Sequence, residues 1–60
     1  MKSLALVGFG VSNQAVYQQF KGDYKITIHN PTKISVPEDA SLICNEHYLR
    51  CCEDIVFRSP

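Results

Sequence analysis

The residues whose types and spacing most clearly suggest chemistry are Gly8 and Gly10, which are separated by one residue and follow a short apolar run. Glycine has no Cβ, so the chain can turn sharply at these positions and a phosphate group can come close to the backbone. Ser12 and Asn13 follow, and both are residue types that begin helices. The start of a helix offers unpaired N–H groups and a partial positive charge. The pattern predicts an anion-binding corner, and the alternative is a plain strand-to-helix turn without a ligand.

The full dinucleotide fingerprint, G-x-G-x-x-G with an acidic residue after the second strand, is only partly present. Position 13 is Asn rather than Gly, and the predicted second strand ends at His29 and Asn30 without a carboxylate. Asn30 has an amide that can both donate and accept, so it can hydrogen-bond a ribose or a base edge. His29 suits acid–base chemistry, but the ordinary interpretation is a partly exposed polar end of the strand.

A second group of chemically active side chains lies late in the chain. Cys44, His47, Cys51 and Cys52 fall within residues 44–52, and cysteine and histidine are both residue types that bind zinc. In a helix His47 and Cys51 would lie one turn apart, whereas the adjacent Cys51 and Cys52 would point about 100° apart and are not expected to share one ion. Free cysteines are most often buried as small apolar residues. We therefore predict no metal and no cofactor in this chain.

The elements that position these residues follow from the apolar pattern. Short apolar or β-branched runs predict strands over residues 4–7, 24–29, 41–44 and 54–57. A first helix is expected to begin at Ser12 or Asn13, to bury Val16 and Phe20, and to end at Lys21 and Gly22. A second helix is expected over residues 45–52. The fold class is α/β, an incomplete Rossmann-like parallel sheet of about four short strands and two helices, with part of one sheet face left bare.

Composition excludes several classes of protein. Six Lys and Arg residues balance six Asp and Glu residues, so the chain lacks the basic excess of a nucleic-acid binder. The longest apolar run, residues 4–7, is far shorter than the ~20 residues of a membrane helix and too short for a signal-peptide core. An odd number of cysteines without a secretory signal predicts reduced thiols and a cytoplasmic location. The chain stops directly after an apolar run, which we interpret as a cut within a longer protein.

Three segments, taken in order, resemble a known family. Residues 6–13 read LVGFGVSN, residues 25–30 read KITIHN, and residues 54–60 read DIVFRSP. This layout is similar to the N-terminal domain of the Mur ligases, whose motifs are V-x-G-x-G-x-S-G-x-A, a V-T-V-x-D strand and D-x-[IV]-V-x-S-P-G. The resemblance is closest to the branch that joins D-glutamate to UDP-N-acetylmuramoyl-L-alanine in peptidoglycan precursor synthesis.

The resemblance implies that residues 1–60 are the N-terminal part of a domain that holds the uridine nucleotide of the substrate. ATP, Mg²⁺ and D-glutamate would bind in central and C-terminal domains that are absent here, so no catalytic residue is expected and the isolated chain should be inactive. The residues implied to line the nucleotide site are Gly8, Gly10, Val11, Ser12, Asn30, Pro31, Thr32 and Ser59. Two other hypotheses remain open: a truncated NAD(P)-binding domain of a dehydrogenase, and a small metal-binding or interaction module.

Overall fold

The computed structural model describes residues 2–58 of the chain. In this range it contains a four-stranded sheet, in which every pairing is parallel, and one ten-residue helix. The elements are β1 Lys2–Val7, α1 Val11–Phe20, β2 Tyr24–His29, β3 Ala40–Ile43 and β4 Ile55–Arg58. The strands lie in the order β3-β2-β1-β4, which is the order of the first four strands in a Rossmann-like sheet. The predicted α/β class is confirmed.

The core lies on the face of the sheet that α1 covers. Side chains of a strand alternate between faces, so the paired positions Leu4 with Ile26 and Leu6 with Ile28 point to the same side. Tyr17 of α1 packs against them, and none of these five side chains is more than 4% exposed. Burial of one such side chain contributes about 1.5–3 kcal/mol. The partly buried side chains around this cluster are Phe9, Val16, Tyr24, Val36, Ala40, Leu42 and Ile55.

The predicted start of the helix is wrong by two or three residues. Gly10, in an extended conformation, is the N-cap, so no side chain caps the helix. Ser12 and Asn13 both lie inside the first turn. The amide of Asn13 is used elsewhere, because it donates to two carbonyl oxygens at the end of β1 and in the following turn.

The buried face of α1 also differs from the prediction. Its buried residues are Asn13 and Tyr17, whereas Val16 and Phe20 are only half-buried. Tyr17 replaces the expected apolar pair because its ring packs in the core while its hydroxyl donates to the carboxylate of Asp39. An amphipathic aromatic residue can occupy an interior position when its polar atom reaches a partner.

The second predicted helix, over residues 45–52, is wrong. Residues 46–49 form turns, in which Tyr48 N–H donates to Asn45 C=O and Arg50 N–H donates to His47 C=O, both at 3.0 Å. The side chain of Asn45 accepts from His47 N–H at 2.9 Å, as an N-cap would. The helix does not continue, because Leu49 N–H donates to Nδ1 of His29 and not to Asn45 C=O. Leu49 has a φ of 67°, a left-handed conformation that an α-helix cannot contain.

The remaining boundaries differ little from the prediction. β2 has the predicted bounds, β1 begins two residues earlier than predicted, and β3 and β4 are shifted by one residue each. β1 is longer than its apolar run because Lys2 and Ser3 still pair with β2. Gly22 follows the C-cap Lys21 as predicted, without a positive φ.

The face of the sheet opposite α1 is covered by irregular chain. Side-chain alternation places Ser3 and His29 on this face, and the segment that connects β3 to β4 contacts both of them. Lys25 and Ser41, on the same face, stay exposed. Val56 pairs with Ala5 on this face and is also exposed, so the bare area expected from the sequence is of mixed polar and apolar character. Nothing helical in residues 2–58 has both the length and the apolar character needed to cross a bilayer.

Candidate functional site at the carboxyl edge of the sheet

The corner after β1 is fixed by backbone geometry that requires glycine. Gly8 has a φ of 88°, a conformation that other residues rarely adopt. Its N–H donates to the carbonyl of His29 at 2.7 Å, which ties the turn to the carboxyl end of β2. The N–H of Gly8 is therefore engaged within the fold, so any anion must be bound by groups further along the turn.

Asn13 stabilises the corner in a way that the glycine of the usual fingerprint could not. Its side-chain amide donates to Val7 C=O at 3.1 Å and to Gly8 C=O at 2.9 Å. Asn13 is 3% exposed, so these bonds satisfy carbonyl oxygens that water reaches poorly. The departure from G-x-G-x-x-G thus replaces close helix packing with a hydrogen-bonded clamp.

The start of α1 is open to solvent. The first helical backbone bond joins Gln14 N–H to Gly10 C=O at 2.9 Å, so the N–H groups of the preceding turn have no partner within the helix. Gly10, Val11 and Ser12 are all exposed, and no acidic residue lies in the first turn. A Cβ placed on Gly10 would meet no atom within 4 Å. The geometry leaves unpaired N–H groups and the positive end of the helix dipole accessible to an anion.

Asn30, Pro31 and Thr32 lie beside this corner, because Asn30 directly follows the carbonyl that accepts from Gly8. The amide of Asn30 donates to Thr32 C=O at 2.7 Å and to the Thr32 hydroxyl at 3.2 Å. The Nδ2 group of Asn30 is therefore engaged by Thr32, and its side-chain oxygen is the atom left to accept from a ligand hydroxyl.

The structure thus brings seven of the eight predicted nucleotide-site residues to one edge of the sheet, and Ser59 lies outside the described residues. This edge is an open surface, because residues 2–58 enclose no pocket. In the sheet, β2 and β3 lie on one side of β1 and β4 lies on the other, so the order of the strands reverses direction at β1. Ligands of open parallel sheets bind at such a switch point.

The structure also brings together a second group of potential ligand side chains, which the sequence patterns did not predict. Ligand atoms of His29, Cys51 and Glu53 all lie within 4.8 Å of one another. The sequence spacing suggested a different zinc-ligand set, which comprised Cys44, His47, Cys51 and Cys52. These four side chains do not form a cluster within residues 2–58, because the helix that would align them does not form. His29 is fully buried rather than a partly exposed strand end.

The contacts of His29 define its tautomer. Leu49 N–H donates to Nδ1 at 3.3 Å, so Nδ1 is an acceptor and the ring proton lies on Nε2. Nε2 faces Glu53 Oε1 at 3.4 Å, which is longer than an ordinary hydrogen bond. Burial, followed by the negative charge of Glu53, raises the pKa of the neighbouring Cys51 thiol, and Arg58 partly opposes this shift.

Comparison of the chain with protein-family models, curated proteins and solved structures finds no match. The fold by itself defines the class of the protein, which is an α/β chain with a Rossmann-like strand order. The relationship to the Mur ligases stays a prediction that rests on the three sequence segments.

Proposed function

We propose that this chain is the N-terminal part of the substrate-binding domain of a cytoplasmic UDP-N-acetylmuramoyl-L-alanine:D-glutamate ligase. In this proposal the uridine nucleotide binds along the carboxyl edge of the sheet. The ATP, Mg²⁺ and D-glutamate of the ATP-dependent reaction bind in further domains, and the present residues recognise substrate without supplying a catalytic group.

The observation that carries the proposal is the exposed, uncapped start of α1 beside the Asn30–Thr32 turn. Unpaired N–H groups and the helix dipole favour a diphosphate at Gly10, Val11 and Ser12. The side-chain oxygen of Asn30 supports a hydrogen bond to a ribose hydroxyl or to a uracil N–H. A ligand that combines an anion with a hydrogen-bonding nucleoside matches both parts of the edge.

The direct test is a titration of the isotopically labelled chain with UDP-N-acetylmuramoyl-L-alanine and with UDP, followed by amide chemical shifts. We expect the largest shifts at Gly10, Ser12 and Asn30. Shifts spread over the sheet, or none in the folded chain, would contradict the proposal. Larger shifts with NADH than with either uridine nucleotide would favour an NAD(P)-binding domain instead.

Gly10→Ala is the most informative variant, because its added methyl group has free space in the fold and yet lies where a phosphate must approach. We expect unchanged folding and uridine-nucleotide binding weakened at least about tenfold, equivalent to about 1.4 kcal/mol. Gly22→Ala is the matched control, because that position is equally open and lies after the C-terminal end of α1. Equal affinity of the two variants would argue against binding at the corner.

The proposal also predicts that the purified chain has no ligase activity. An assay for ATP-dependent amide formation with D-glutamate should give only background turnover. Measurable activity would mean that the catalytic groups lie within these residues, which contradicts the proposed division of labour.

A further inference from the structure

We propose that His29, Cys51 and Glu53 form a zinc site on the sheet face opposite α1. This inference goes beyond nucleotide binding and replaces our sequence-based expectation that the chain holds no metal. Imidazole, thiolate and carboxylate are the three ligand types that zinc uses in proteins.

The separation of the ligand atoms fits this ion. Two ligands bound to tetrahedral zinc at about 2.0–2.1 Å are about 3.3 Å apart. Nε2 of His29 and Oε1 of Glu53 lie 3.4 Å apart, which is long for a hydrogen bond but suited to a shared ion. A sulfur ligand would lie about 3.6 Å from each of these atoms. Because the three ligand atoms already lie within 4.8 Å, Cys51 needs to approach by roughly 1 Å at most.

The carboxylate of Glu53 is a second, independent indication of a ligand. Its side chain is 9% exposed, and its Oε2 atom is buried without a hydrogen-bond partner among residues 2–58. A buried carboxylate oxygen without a donor is costly, and a bound cation removes that cost. The only polar contact described for the other oxygen is the long one to His29.

The charges of the three groups balance those of zinc. Binding displaces the thiol proton of Cys51 to solvent, so one thiolate and one carboxylate neutralise the two positive charges of the ion. The imidazole stays neutral, since its proton moves from Nε2 to Nδ1 by exchange with water. Three protein ligands leave a fourth position for water.

This proton shift has a structural consequence at Leu49. In this structure the N–H of Leu49 donates to Nδ1 of His29. Once Nδ1 carries the proton, it cannot accept that bond. The turn around Leu49, which holds a left-handed φ of 67°, must therefore move when zinc binds. Metal binding should thus change the amide resonance of Leu49 as strongly as those of the ligands.

The test uses the chain with Cys44→Ser and Cys52→Ser, which leaves Cys51 as its single thiol. Cobalt(II) is the spectroscopic probe, because a thiolate ligand gives a charge-transfer band and tetrahedral coordination gives intense visible bands. We expect one cobalt per chain, both kinds of band, displacement by zinc, and a large shift at Leu49. Failure of the folded double variant to give the thiolate band would overturn the proposal.

Glu53→Gln and Glu46→Gln form a matched pair in the same background, because Glu46 is an exposed carboxylate outside the cluster. We expect Glu53→Gln to weaken binding at least about tenfold and Glu46→Gln to leave it unchanged. Equal affinities would exclude Glu53 as a ligand. If Glu53→Gln does not fold, the nitrogen chemical shift of His29 Nε2 in the parent decides, since metal binding must move it. None of these readouts depends on uridine-nucleotide binding, so the two proposals fail separately.

Discussion

The two halves of the chain differ in how deeply their side chains are buried. Residues 2–29, which form β1, α1 and β2, contain every residue that the structure fully buries in its described part. Residues 30–58 contain β3, β4 and two irregular segments, and their apolar side chains are at most partly buried. The first half is therefore a folding core, and the second half is packed around it.

Polar side-chain contacts join the second half to the first. Asp54 accepts from the N–H and hydroxyl of Ser3, and the hydroxyl of Tyr17 donates to Asp39. His29 contacts both Leu49 and Glu53. Each contact joins residues at least 20 positions apart in the chain, the shortest being that between Leu49 and His29. The first half thus supplies the fully buried core, whereas strand pairing of β3 and β4, partial apolar packing and a few directed side-chain bonds set the path of the second half.

The largest expected effect is that of Leu6→Ala in the core. Leu6 is completely buried, so the lost apolar contacts and the resulting cavity should cost about 2–5 kcal/mol. This is a large part of the stability of so small a domain. Leu42→Ala is the control, because Leu42 lies at the same level of the sheet but is only partly buried. Urea unfolding followed by circular dichroism measures both, and an equal loss would remove the distinction between the halves.

Asn13→Ala should have the next largest effect. It removes both hydrogen bonds of the clamp at the first corner and leaves two carbonyl groups without their donor, at a cost of about 2 kcal/mol. Gln14→Ala is the neighbouring control, because its single bond to Phe9 C=O is exposed and should matter by about 0.5 kcal/mol or less. The same urea experiment applies. Similar losses in the two variants would mean that the clamp does not stabilise the corner.

A smaller effect is expected at alkaline pH from the contact between Tyr17 and Asp39. The hydrogen bond to Asp39, then burial, then the carboxylate charge raise the pKa of Tyr17 from 10.0 to about 12. The folded chain therefore holds this proton more tightly than the unfolded chain. The resulting stabilisation is complete below pH 10 and is lost as the pH rises toward about 12.

Tyr17→Phe should remove this alkaline dependence of the unfolding free energy. Tyr48→Phe is the control, because the Tyr48 hydroxyl makes no hydrogen bond within residues 2–58, so the alkaline dependence should persist in this variant. An identical alkaline profile for all three proteins would show that the contact to Asp39 does not join the halves.

The smallest effect concerns Asp54 and acid. Hydrogen bonds from the N–H and then the hydroxyl of Ser3, aided by the charge of Lys2, lower the pKa of Asp54 below its ordinary value of 3.8. The stabilisation from this carboxylate is present above that value and is lost as the pH falls through the lower pKa of the folded chain. Asp54→Asn should remove this component of the acid dependence, and the exposed Asp23→Asn should not. The measurement is the rate of amide hydrogen exchange in β4. Equal rates in both variants would argue that the contact between Asp54 and Ser3 does not hold β4 in place.

The accuracy of the sequence-based expectations follows the same division. The bounds of β2 and the Gly8–Gly10 turn are predicted correctly, because alternation and glycine geometry are local properties of the chain. The helix over residues 45–52 is wrong, because Leu49 has a left-handed φ and its N–H donates to His29, which lies 20 positions away, and not to the preceding turn. The buried face of α1 is also wrong, because the partner of Tyr17 lies 22 residues away.

The amino-acid sequence by itself determined the α/β class, the first corner and the alternating strands, since these depend on side-chain size and spacing within a few residues. Tertiary structure alone decided that His29 is buried and that Cys51 and Glu53 meet it. Twenty-four positions separate His29 from Glu53 in the chain. No periodicity links residues so far apart, and only the crossing of the irregular segment over the sheet brings their side chains together.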